Sequence, residues 1–163
     1  VIGEHMILGF IFAGVSIILD QITKYFAFGK NPVSIIGDVL WFQSTLNTGV
    51  AFGMFQNISA LFITISSLAS VLFGWLIITK KHFTSKTEKI SLGLILGGTI
   101  SNLLDRIFIG GVRDFIYLKS INFAIFNVAD MAVVCGAIIF CAYFLFKSNK
   151  KQQNQTDNKK EEK

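Results

Sequence analysis

Apolar residues occupy four long runs of this chain, and each run predicts a membrane-spanning helix. The runs are residues 7–28, 58–79, 90–104 and 128–146. A hydrocarbon core of about 30 Å needs roughly 20 helical residues, at about 1.5 Å of rise per residue. The third and fourth runs are the shortest, so we expect their polar ends to lie in the membrane interface.

Three other patterns predict structure outside the bilayer. In residues 32–56, two β-branched or aromatic runs flank Gly37-Asp38; this predicts a β-hairpin in a small sheet, because glycine suits the first position of a type II′ turn. Residues 107–126 are too polar to span a membrane and too apolar for a solvated loop, which predicts that they lie in the membrane interface. The polar, low-complexity residues 148–163 predict a disordered cytoplasmic tail.

These patterns together predict an all-α integral membrane protein with four transmembrane helices, a small extracytoplasmic β-hairpin or sheet and an interfacial helix. Residues 1–163 would form a single polytopic domain. Composition agrees, because 52% of the residues are hydrophobic, 15% are charged, and no charge occurs from residue 39 to residue 79. Residues 1–5 precede Met6 and are typical of a cloning remnant. The first run contains Asp20 and lacks a basic leader, so we do not expect a cleavable signal peptide.

The distribution of lysines predicts the orientation of the chain. Lysines cluster in residues 80–89 and in residues 147–163, which would place both segments, and with them both termini, in the cytoplasm. The pI near 9.3 does not indicate a nucleic-acid partner, because the cations flank apolar runs instead of forming one patch. Cys135 and Cys141 lie in an apolar run and do not share a helix face, so they are interpreted as packing residues.

Small residues at four-residue spacing occur in two of the runs. The second run contains Ser66, Ser70 and Gly74, and the third contains Gly93 and Gly97 followed by Gly98. Small residues at this spacing allow helices to approach closely in lipid. Both stripes are therefore predicted to be helix-packing faces.

On the predicted topology, the polar residues of the apolar runs collect at the outer membrane face. They are Asp20, Lys24, Asn47, Asn102, Asp105, Arg106, Asp114, Asn127 and Asp130. Structural explanations exist for most of them. Asp20 and Lys24 have the spacing of a helical ion pair, and the Lys24 side chain could also extend to the lipid headgroups. Asn127 and Asp130 have the spacing of a helix cap. Charges at membrane depth are costly, so the cluster as a whole predicts a functional site.

The residue types limit the chemistry of this site. Neither histidine lies on the predicted outer face, which argues against a Ser–His nucleophile. A Ser–Lys24 dyad would need a nearby serine, and none is close in sequence. No Cys/His cluster is present, so neither a metal nor a cofactor is expected. Paired carboxylates remain, of which one would be ionised to activate water and the other protonated to bind the scissile carbonyl.

Five sequence blocks carry a family resemblance. They are Asp20-Gln-Ile-Thr-Lys24, Asn47-Thr-Gly49-Val-Ala-Phe52, Gly97-Gly-Thr-Ile-Ser-Asn102-Leu-Leu-Asp105-Arg106, Val112-Arg-Asp114-Phe115 and Phe126-Asn127-Val-Ala-Asp130. In this order they resemble the signature blocks of bacterial lipoprotein signal peptidase (signal peptidase II). That resemblance implies an intramembrane aspartyl endopeptidase that removes signal peptides from diacylglyceryl-modified prolipoproteins, cutting before the lipidated cysteine of the lipobox.

The resemblance also implies residue roles and surroundings. Asp114 and Asp130 would be the catalytic pair. The remaining block residues would bind substrate or support the site: Asp20, Lys24, Asn47, Gly49, Asn102, Asp105, Arg106 and Asn127. We expect a monomer in the bacterial inner membrane, with the active site at the outer face and with lipidated prolipoproteins and membrane lipids as partners. Phe52, Phe115 and Phe126 would form an apolar wall for acyl chains or lipobox side chains, and core packing explains them equally well.

Two other functional classes place acids in a membrane. A small transporter or proton pathway would need polar groups along its whole length, whereas the inner halves of the second and fourth runs are apolar. A non-catalytic lipid-binding or assembly subunit could use the Asp and Arg residues structurally. Such a subunit would tolerate Asp→Asn at positions 114 and 130.

Overall fold

The computed structural model describes the backbone of residues 2–49, 59–79 and 84–161, and the side chains of residues 3–49, 59–79 and 84–147. The chain forms α1 (Ile2–Ala27), β1 (Val33–Ile36), β2 (Leu40–Asn47), α2 (Ser59–Ile78), α3 (Lys86–Phe108), β3 (Val112–Leu118) and α4 (Val128–Glu161). A single 3-10 turn, Lys119–Ile121, follows β3.

The four predicted spans are confirmed as helices long and apolar enough to cross a membrane. Their outward faces are apolar: Val71 of α2 is 73% exposed and Phe146 of α4 is 75% exposed, as expected for surfaces that meet lipid. The third helix is longer than its apolar run because a capping box starts it. The Ser85 hydroxyl accepts a hydrogen bond from the Glu88 backbone N–H, and the Glu88 carboxylate accepts one from the N–H of Ser85.

Helix α3 lies at the centre of the bundle and packs against the other three helices. Its glycine stripe is a packing face, as predicted. A β-carbon added at Gly93 would overlap the carbonyl oxygen of Gly9 in α1, and one added at Gly98 would overlap the carbonyl oxygen of Ala129 in α4. Backbones approach this closely only where side chains are absent.

The small-residue stripe of α2 is not a packing face at Gly74, so that prediction is wrong there. Among the residues that the structure describes, no atom outside the local helix lies within 4 Å of a β-carbon built at Gly74. The Ser70 hydroxyl donates to the carbonyl oxygen of Ser66 in its own helix, at 2.7 Å. Back-bonding of this kind satisfies a hydroxyl without any partner helix.

Substituting Gly93 by alanine should therefore destabilise the protein, whereas Gly74→Ala should not. At Gly93 the methyl group must push α1 and α3 apart, and overpacking of this kind costs about 1–3 kcal/mol. At Gly74 the methyl group enters open space and removes the helix penalty of glycine, a gain of up to about 1 kcal/mol. Thermal unfolding of both variants in detergent measures the difference. Equal unfolding temperatures would contradict the packing role of Gly93.

Lys89, counted above among the loop cations, is buried within α3 and caps the end of α2. Its side chain is 1% exposed. The ammonium donates to the carbonyl oxygens of Leu76, Ile77 and Thr79 at 2.8, 2.6 and 2.9 Å. The last carbonyl groups of a helix lack partners within that helix, and a cation at this end also opposes the helix dipole. One side chain thereby closes the α2–α3 hairpin.

The sheet is three-stranded and antiparallel, in the order β1-β2-β3. The predicted hairpin is confirmed: β1 pairs with β2, and the Val39 N–H donates to the Ile36 carbonyl oxygen at 2.8 Å across the turn. Gly37 occupies the first central position of this turn with φ +45°, a conformation that glycine adopts without strain. Residues 50–56 of the predicted outer segment lie outside the described residues.

The segment predicted as an interfacial helix is instead the third strand of this sheet, so that prediction is wrong. Val112–Leu118 pairs with β2, and the only helical structure described between residues 109 and 127 is the 3-10 turn. The strand is rich in β-branched and aromatic residues, which fit a pleated surface. Its pairing partner lies some seventy residues earlier in the chain, so local periodicity does not reveal it.

The structure also differs from the sequence prediction at the carboxyl end. The backbone of α4 continues helically to Glu161, through most of the segment expected to be a disordered tail. Residues 148–161 contain neither proline nor glycine and are rich in lysine and glutamine, which favour helix. These propensities extend the helix beyond its apolar portion.

Candidate active site

The polar residues singled out in the sequence come together where one end of the helix bundle meets the sheet. They form two adjoining groups. One is a pair of carboxyl groups, Asp114 on β3 and Asp130 on α4. The other is a buried charge cluster built from α1, α3 and β3, which consists of Asp20, Gln21, Lys24, Asp105 and Arg113. Asn102 and Asn127 connect the groups.

Asp114 is 3% exposed and is held by two amide groups. Its oxygens accept hydrogen bonds from Asn127 Nδ2 at 2.6 Å and from Asn47 Nδ2 at 3.0 Å. The Asn47 amide is in turn oriented by the Gly49 N–H, which donates to Asn47 Oδ1 at 3.0 Å. Burial, together with the negative charge of Asp130, raises the pKa of Asp114 to about 6. This carboxyl group therefore titrates near neutrality.

Asp130 lies in the first turn of α4, where it also takes part in the helix cap. Its N–H donates to Asn127 Oδ1 at 2.9 Å, and its Oδ2 accepts from the Asn127 N–H at 3.1 Å. The capping interpretation is thus confirmed, yet it does not account for the whole residue. The other oxygen of Asp130 accepts from Asn102 Nδ2 at 2.8 Å, and the residue lines a cavity. Asn127 binds both carboxyl groups and so fixes their separation.

Lys24 is the centre of the buried charge cluster. Its ammonium lies 2.6 Å from Asp20 Oδ2 and 3.2 Å from Asp105 Oδ2, and it donates to Asn102 Oδ1 at 2.8 Å. The predicted Asp20–Lys24 ion pair is therefore confirmed. Snorkelling of Lys24 to the headgroups is wrong, because its side chain is completely buried. These three acceptors account for all three protons of the ammonium.

A Ser–Lys dyad is not formed, although a serine lies nearby in space. Ser101 of α3 donates its hydroxyl proton to Asp20 Oδ2 at 2.7 Å, and Asp20 Oδ1 accepts from the Ala129 N–H at 2.8 Å. A lysine that serves as a general base must be neutral, whereas Lys24 is matched by two carboxylates. The Ser101 hydroxyl is also fully buried. These contacts assign Asp20 to joining α1, α3 and α4.

Two members of the charge cluster were not predicted from the sequence. Arg113 binds Asp105 through its backbone N–H and its guanidinium, and it also donates to Gln21 Oε1 at 2.7 Å. The Gln21 side-chain amide in turn donates through Nε2 to Asp105 Oδ1 at 3.1 Å. Both residues occur inside the signature blocks, but neither spacing nor residue type reveals contacts across 8 to 92 positions of sequence. The sequence feature that could have indicated Gln21 and Arg113 is that each directly adjoins a predicted site residue, Asp20 or Asp114.

A cavity of about 520 Å³ opens beside the carboxyl pair. Its polar side is formed by Asn47, Asn102, Arg106, Asp114 and Asp130, and its apolar side includes Val112, Leu118, Ile125, Phe126, Met131 and Val134. The Arg106 guanidinium lies 5.5 Å from the centre of the Phe62 ring, which is a cation–π distance. An apolar pocket with a few converging polar groups is typical of a binding site.

Three expectations for residues near this cavity need correction or fall outside the described residues. Phe126 lines the cavity as expected, whereas Phe115 packs against Phe42 with ring centres 5.8 Å apart, since it alternates with Asp114 along the strand. Phe52 lies outside the described residues. Cys135 and Cys141 are exposed instead of packed, and Cys135 lines the cavity.

The arrangement can perform hydrolysis without a nucleophilic side chain. Two carboxyl groups that share a site ionise in separate steps, so that over a range of pH one is ionised and the other protonated. The ionised group can take a proton from water while the protonated group donates to a carbonyl oxygen. The pocket beside them is large enough for a short peptide segment and apolar enough for aliphatic side chains.

Comparison with known proteins shows what the chain is similar to. Residues 12–146 match the family model described as signal peptidase (SPase) II. A lipoprotein signal peptidase of Brevibacillus brevis is 39% identical over 134 residues, which cover 78% of this chain and 87% of that protein. Two structures described as bacterial membrane enzymes, determined in meso at 2.3 and 1.9 Å, match with TM-scores of 0.79 and 0.74. Their identities are 25% and 26%, and they cover 88% and 84% of this chain and 90% and 92% of theirs.

Proposed function

We propose, from the premise that this chain belongs to the signal peptidase II family, that it is an aspartyl endopeptidase acting within the membrane. Membership makes the chain a membrane-embedded peptidase that removes signal peptides from lipoproteins. The proposed substrates are diacylglyceryl-modified prolipoproteins, cut immediately before the lipidated cysteine of the lipobox. Asp114 and Asp130 are the proposed catalytic pair.

The observation that carries this proposal is the joint attachment of both carboxyl groups to Asn127. One residue binds Asp114 through its side-chain amide and Asp130 through its backbone, at 2.6 and 3.1 Å. Both acids line the same cavity. A single shared support gives a defined distance between two acids, which is what concerted acid–base chemistry on one water molecule requires.

The reaction follows from the two protonation states. The ionised carboxylate removes a proton from water, whose oxygen attacks the scissile carbonyl carbon, while the protonated carboxyl gives its proton to the carbonyl oxygen. The resulting gem-diol collapses when the first carboxyl, now protonated, donates to the leaving amide nitrogen. The second carboxyl recovers the proton of a gem-diol hydroxyl as the carbonyl reforms. Both acids return to their starting states, and one water molecule is consumed.

The remaining signature residues support this chemistry. Asn47, Gly49, Asn102 and Asn127 orient the two carboxyl groups. Asp20, Lys24 and Asp105 join α1 and α3 to each other and to the strand and the helix that carry the two carboxyl groups. Arg106 faces the cavity from the end of α3, where its charge is available to the carbonyl groups of an extended substrate segment.

The proposed setting of the enzyme is the bacterial inner membrane, with both termini in the cytoplasm and the active site at the outer face. The cavity lies at the sheet end of the bundle, and the Lys86 end of α3 is opposite. A lipidated substrate that enters sideways from the bilayer would then meet water at the outer boundary. We further propose that residues 1–163 act as one domain and as a monomer, since both acids and the residues that hold them belong to one chain.

The direct test is cleavage of a synthetic prolipoprotein peptide by the purified protein in detergent or lipid nanodiscs. A diacylglyceryl-modified peptide should be cut once, before the modified cysteine, and the unmodified peptide should be cut far more slowly or not at all. EDTA should leave the rate unchanged, because the two carboxyl groups alone activate the water. Equal cleavage of both peptides would contradict the proposed substrate class.

The proposed orientation predicts a pattern of thiol labelling in intact cells. With Cys135 and Cys141 replaced by serine, a cysteine introduced at Gly37 should react with a membrane-impermeant maleimide, whereas one at Lys86 should react only after the cells are opened. Both positions are exposed, so the difference reports the side of the membrane. Labelling of Lys86→Cys in intact cells would contradict the four-span orientation.

A further inference from the structure

Arg113 is tied to the membrane helices by four hydrogen bonds. Its backbone N–H and its Nε donate to Asp105 Oδ2 at 3.0 and 3.2 Å. One terminal nitrogen of its guanidinium donates to Asp105 Oδ1 at 2.7 Å and to Gln21 Oε1 at 2.7 Å. The Arg113 side chain is 12% exposed and that of Asp105 is 1% exposed. Strand β3 is therefore fastened to α3, and through Gln21 to α1, at the residue immediately before Asp114.

The sheet does not by itself fix Asp114. Thr45 of β2 is paired with Asp114, but the next regular pair is Phe42 with Ile116, so two residues of β2 face one residue of β3. An extra residue of this kind interrupts the ladder and bends the strand. The interruption begins directly beside Asp114. The ladder is regular from Val112 to Asp114 and so supports Asp114 from one side only, which leaves its carboxyl group dependent on further contacts.

We infer that Arg113 is a positioning residue, whose paired hydrogen bonds to Asp105 set the place of Asp114 relative to Asp130. This inference rests on the proposed function. Neighbouring strand residues point to opposite sides, so Arg113 reaches the charge cluster while Asp114 faces the cavity. Helix α3 also holds the second acid, because Asn102 donates to Asp130 Oδ1 at 2.8 Å. Asp105 and Asn102, one turn apart on α3, thus locate both members of the pair.

The charges of the cluster add a second effect. Asp20 and Asp105 are balanced by Lys24 and Arg113, so the cluster is neutral. The other charged groups that act on Asp114 are Asp130 from α4, Lys24 from α1 and Arg106 from α3. Removing the Arg113 charge leaves one uncompensated carboxylate beside the pair. The additional negative charge disfavours ionisation of the pair and moves its pH profile to higher pH.

The test compares Arg113→Gln and Arg113→Lys with Lys89→Met in the lipidated-peptide assay. Lys89 is a cation buried even more deeply than Arg113 and makes three hydrogen bonds far from the cavity, at the other end of α3, so its loss controls for instability alone. Arg113→Gln should lower kcat by about 100-fold, because a displacement of about 1 Å has that effect, and should leave KM nearly unchanged. Its pH–rate profile should shift upward. Lys89→Met should lower the unfolding temperature and leave both kcat and the profile unchanged.

Arg113→Lys separates geometry from charge. Lysine keeps the positive charge but lacks the planar fork that binds both carboxylate oxygens. The pH profile of this variant should resemble that of the wild type, with kcat between those of the wild type and Arg113→Gln. The double variant Asp105→Asn with Arg113→Gln restores neutrality. It should recover the wild-type profile with a low kcat, and it provides a neutral cluster if Arg113→Gln alone fails to fold.

Each result decides between the inferences. If the wild type cleaves the lipidated peptide and Asp114→Asn does not, the proposed function is upheld. If kcat and the pH profile of Arg113→Gln are then unchanged, only the positioning role of Arg113 is overturned. If Arg113→Gln and Lys89→Met both lose kcat in proportion to their loss of unfolding temperature, the positioning role of Arg113 is also overturned. Arg113 would then act only by stabilising the fold. A wild-type protein that cleaves nothing overturns the proposed function instead. Infrared titration of the Asp114 carboxyl in wild type and Arg113→Gln then still tests the Arg113 contact, and equal pKa values would contradict it.

Discussion

Asp114→Asn and Asp130→Asn are each expected to lower kcat by at least about 1,000-fold, and the double variant should be scarcely slower than either. Each substitution removes one half of a pair that works as a unit, so the second removal has little left to affect. Asparagine is nearly the same size as aspartate and carries no charge into the buried site. The unfolding temperature in detergent should therefore change by only a few degrees. Cleavage of the lipidated peptide measures the rates.

The pH dependence of the same assay should be bell-shaped. With Asp130 ionised, its charge and the burial of Asp114 raise the pKa of Asp114 to about 6. The singly protonated pair is the active form, and it is lost as the second proton leaves. Hence kcat/KM should fall as pH rises through about 6, and should also fall in acid when both groups are protonated. Bound substrate excludes water and should move the upper limb of kcat to higher pH.

Three outcomes would contradict the carboxyl-pair mechanism. Substantial turnover by either asparagine variant would show that its carboxyl group is dispensable, as expected for a non-catalytic subunit. Inhibition by EDTA that zinc reverses would indicate a metal in the reaction. A flat pH profile between pH 4 and 8 would likewise leave no place for a group with a pKa near 6.

Lys24→Met should produce the largest loss of stability, about 3–5 kcal/mol of unfolding free energy. The ammonium is completely buried, and its removal leaves Asp20 without a counter-ion and Asp105 with Arg113 alone. Methionine fills a similar volume, so the loss reflects charge more than packing. Unfolding in detergent, followed by the fluorescence of the two tryptophans, measures the effect.

Two further variants isolate the electrostatic cause. Asp20→Asn combined with Lys24→Met removes one charge of each sign and should recover part of the lost stability. Lys30→Met changes an exposed lysine just after α1 and should shift the unfolding free energy by no more than about 0.5 kcal/mol. A double variant that is less stable than Lys24→Met by the full effect of Asp20→Asn would contradict the charge-balance explanation.

The features that the sequence predicts well are those determined by short, continuous stretches of residues. Four helices follow from the lengths of the apolar runs, the hairpin follows from Gly37 between two strand-like runs, and the Asp20–Lys24 pair follows from helical spacing. The catalytic assignment of Asp114 and Asp130 stays a proposal that rests on family resemblance, and the predicted topology supplies only their convergence. Each of these inferences needs no knowledge of which distant segments touch.

The features that were missed depend on distant partners. Strand β3 exists because β2 offers an edge, and Arg113 is held by Asp105 and Gln21, at sequence separations of 8 and 92 residues. Neither hydrophobic periodicity nor a helix-capping motif reveals contacts between such distant residues. A lysine near the end of a span likewise predicts a cytoplasmic loop. The sequence does not reveal whether that lysine is solvated or, like Lys89, surrounded by backbone carbonyl oxygens.

The Lys89 cap bears on how the protein is made. Its ammonium completes the last turn of α2 from within the first turn of α3, so both helices have their polar groups satisfied where they meet. Both partners of this contact lie within α2 and the first turn of α3, so a growing chain can form it without α4. The α2–α3 hairpin can therefore pass from the translocon into lipid as a finished unit, and α4 is added to a surface that already exists.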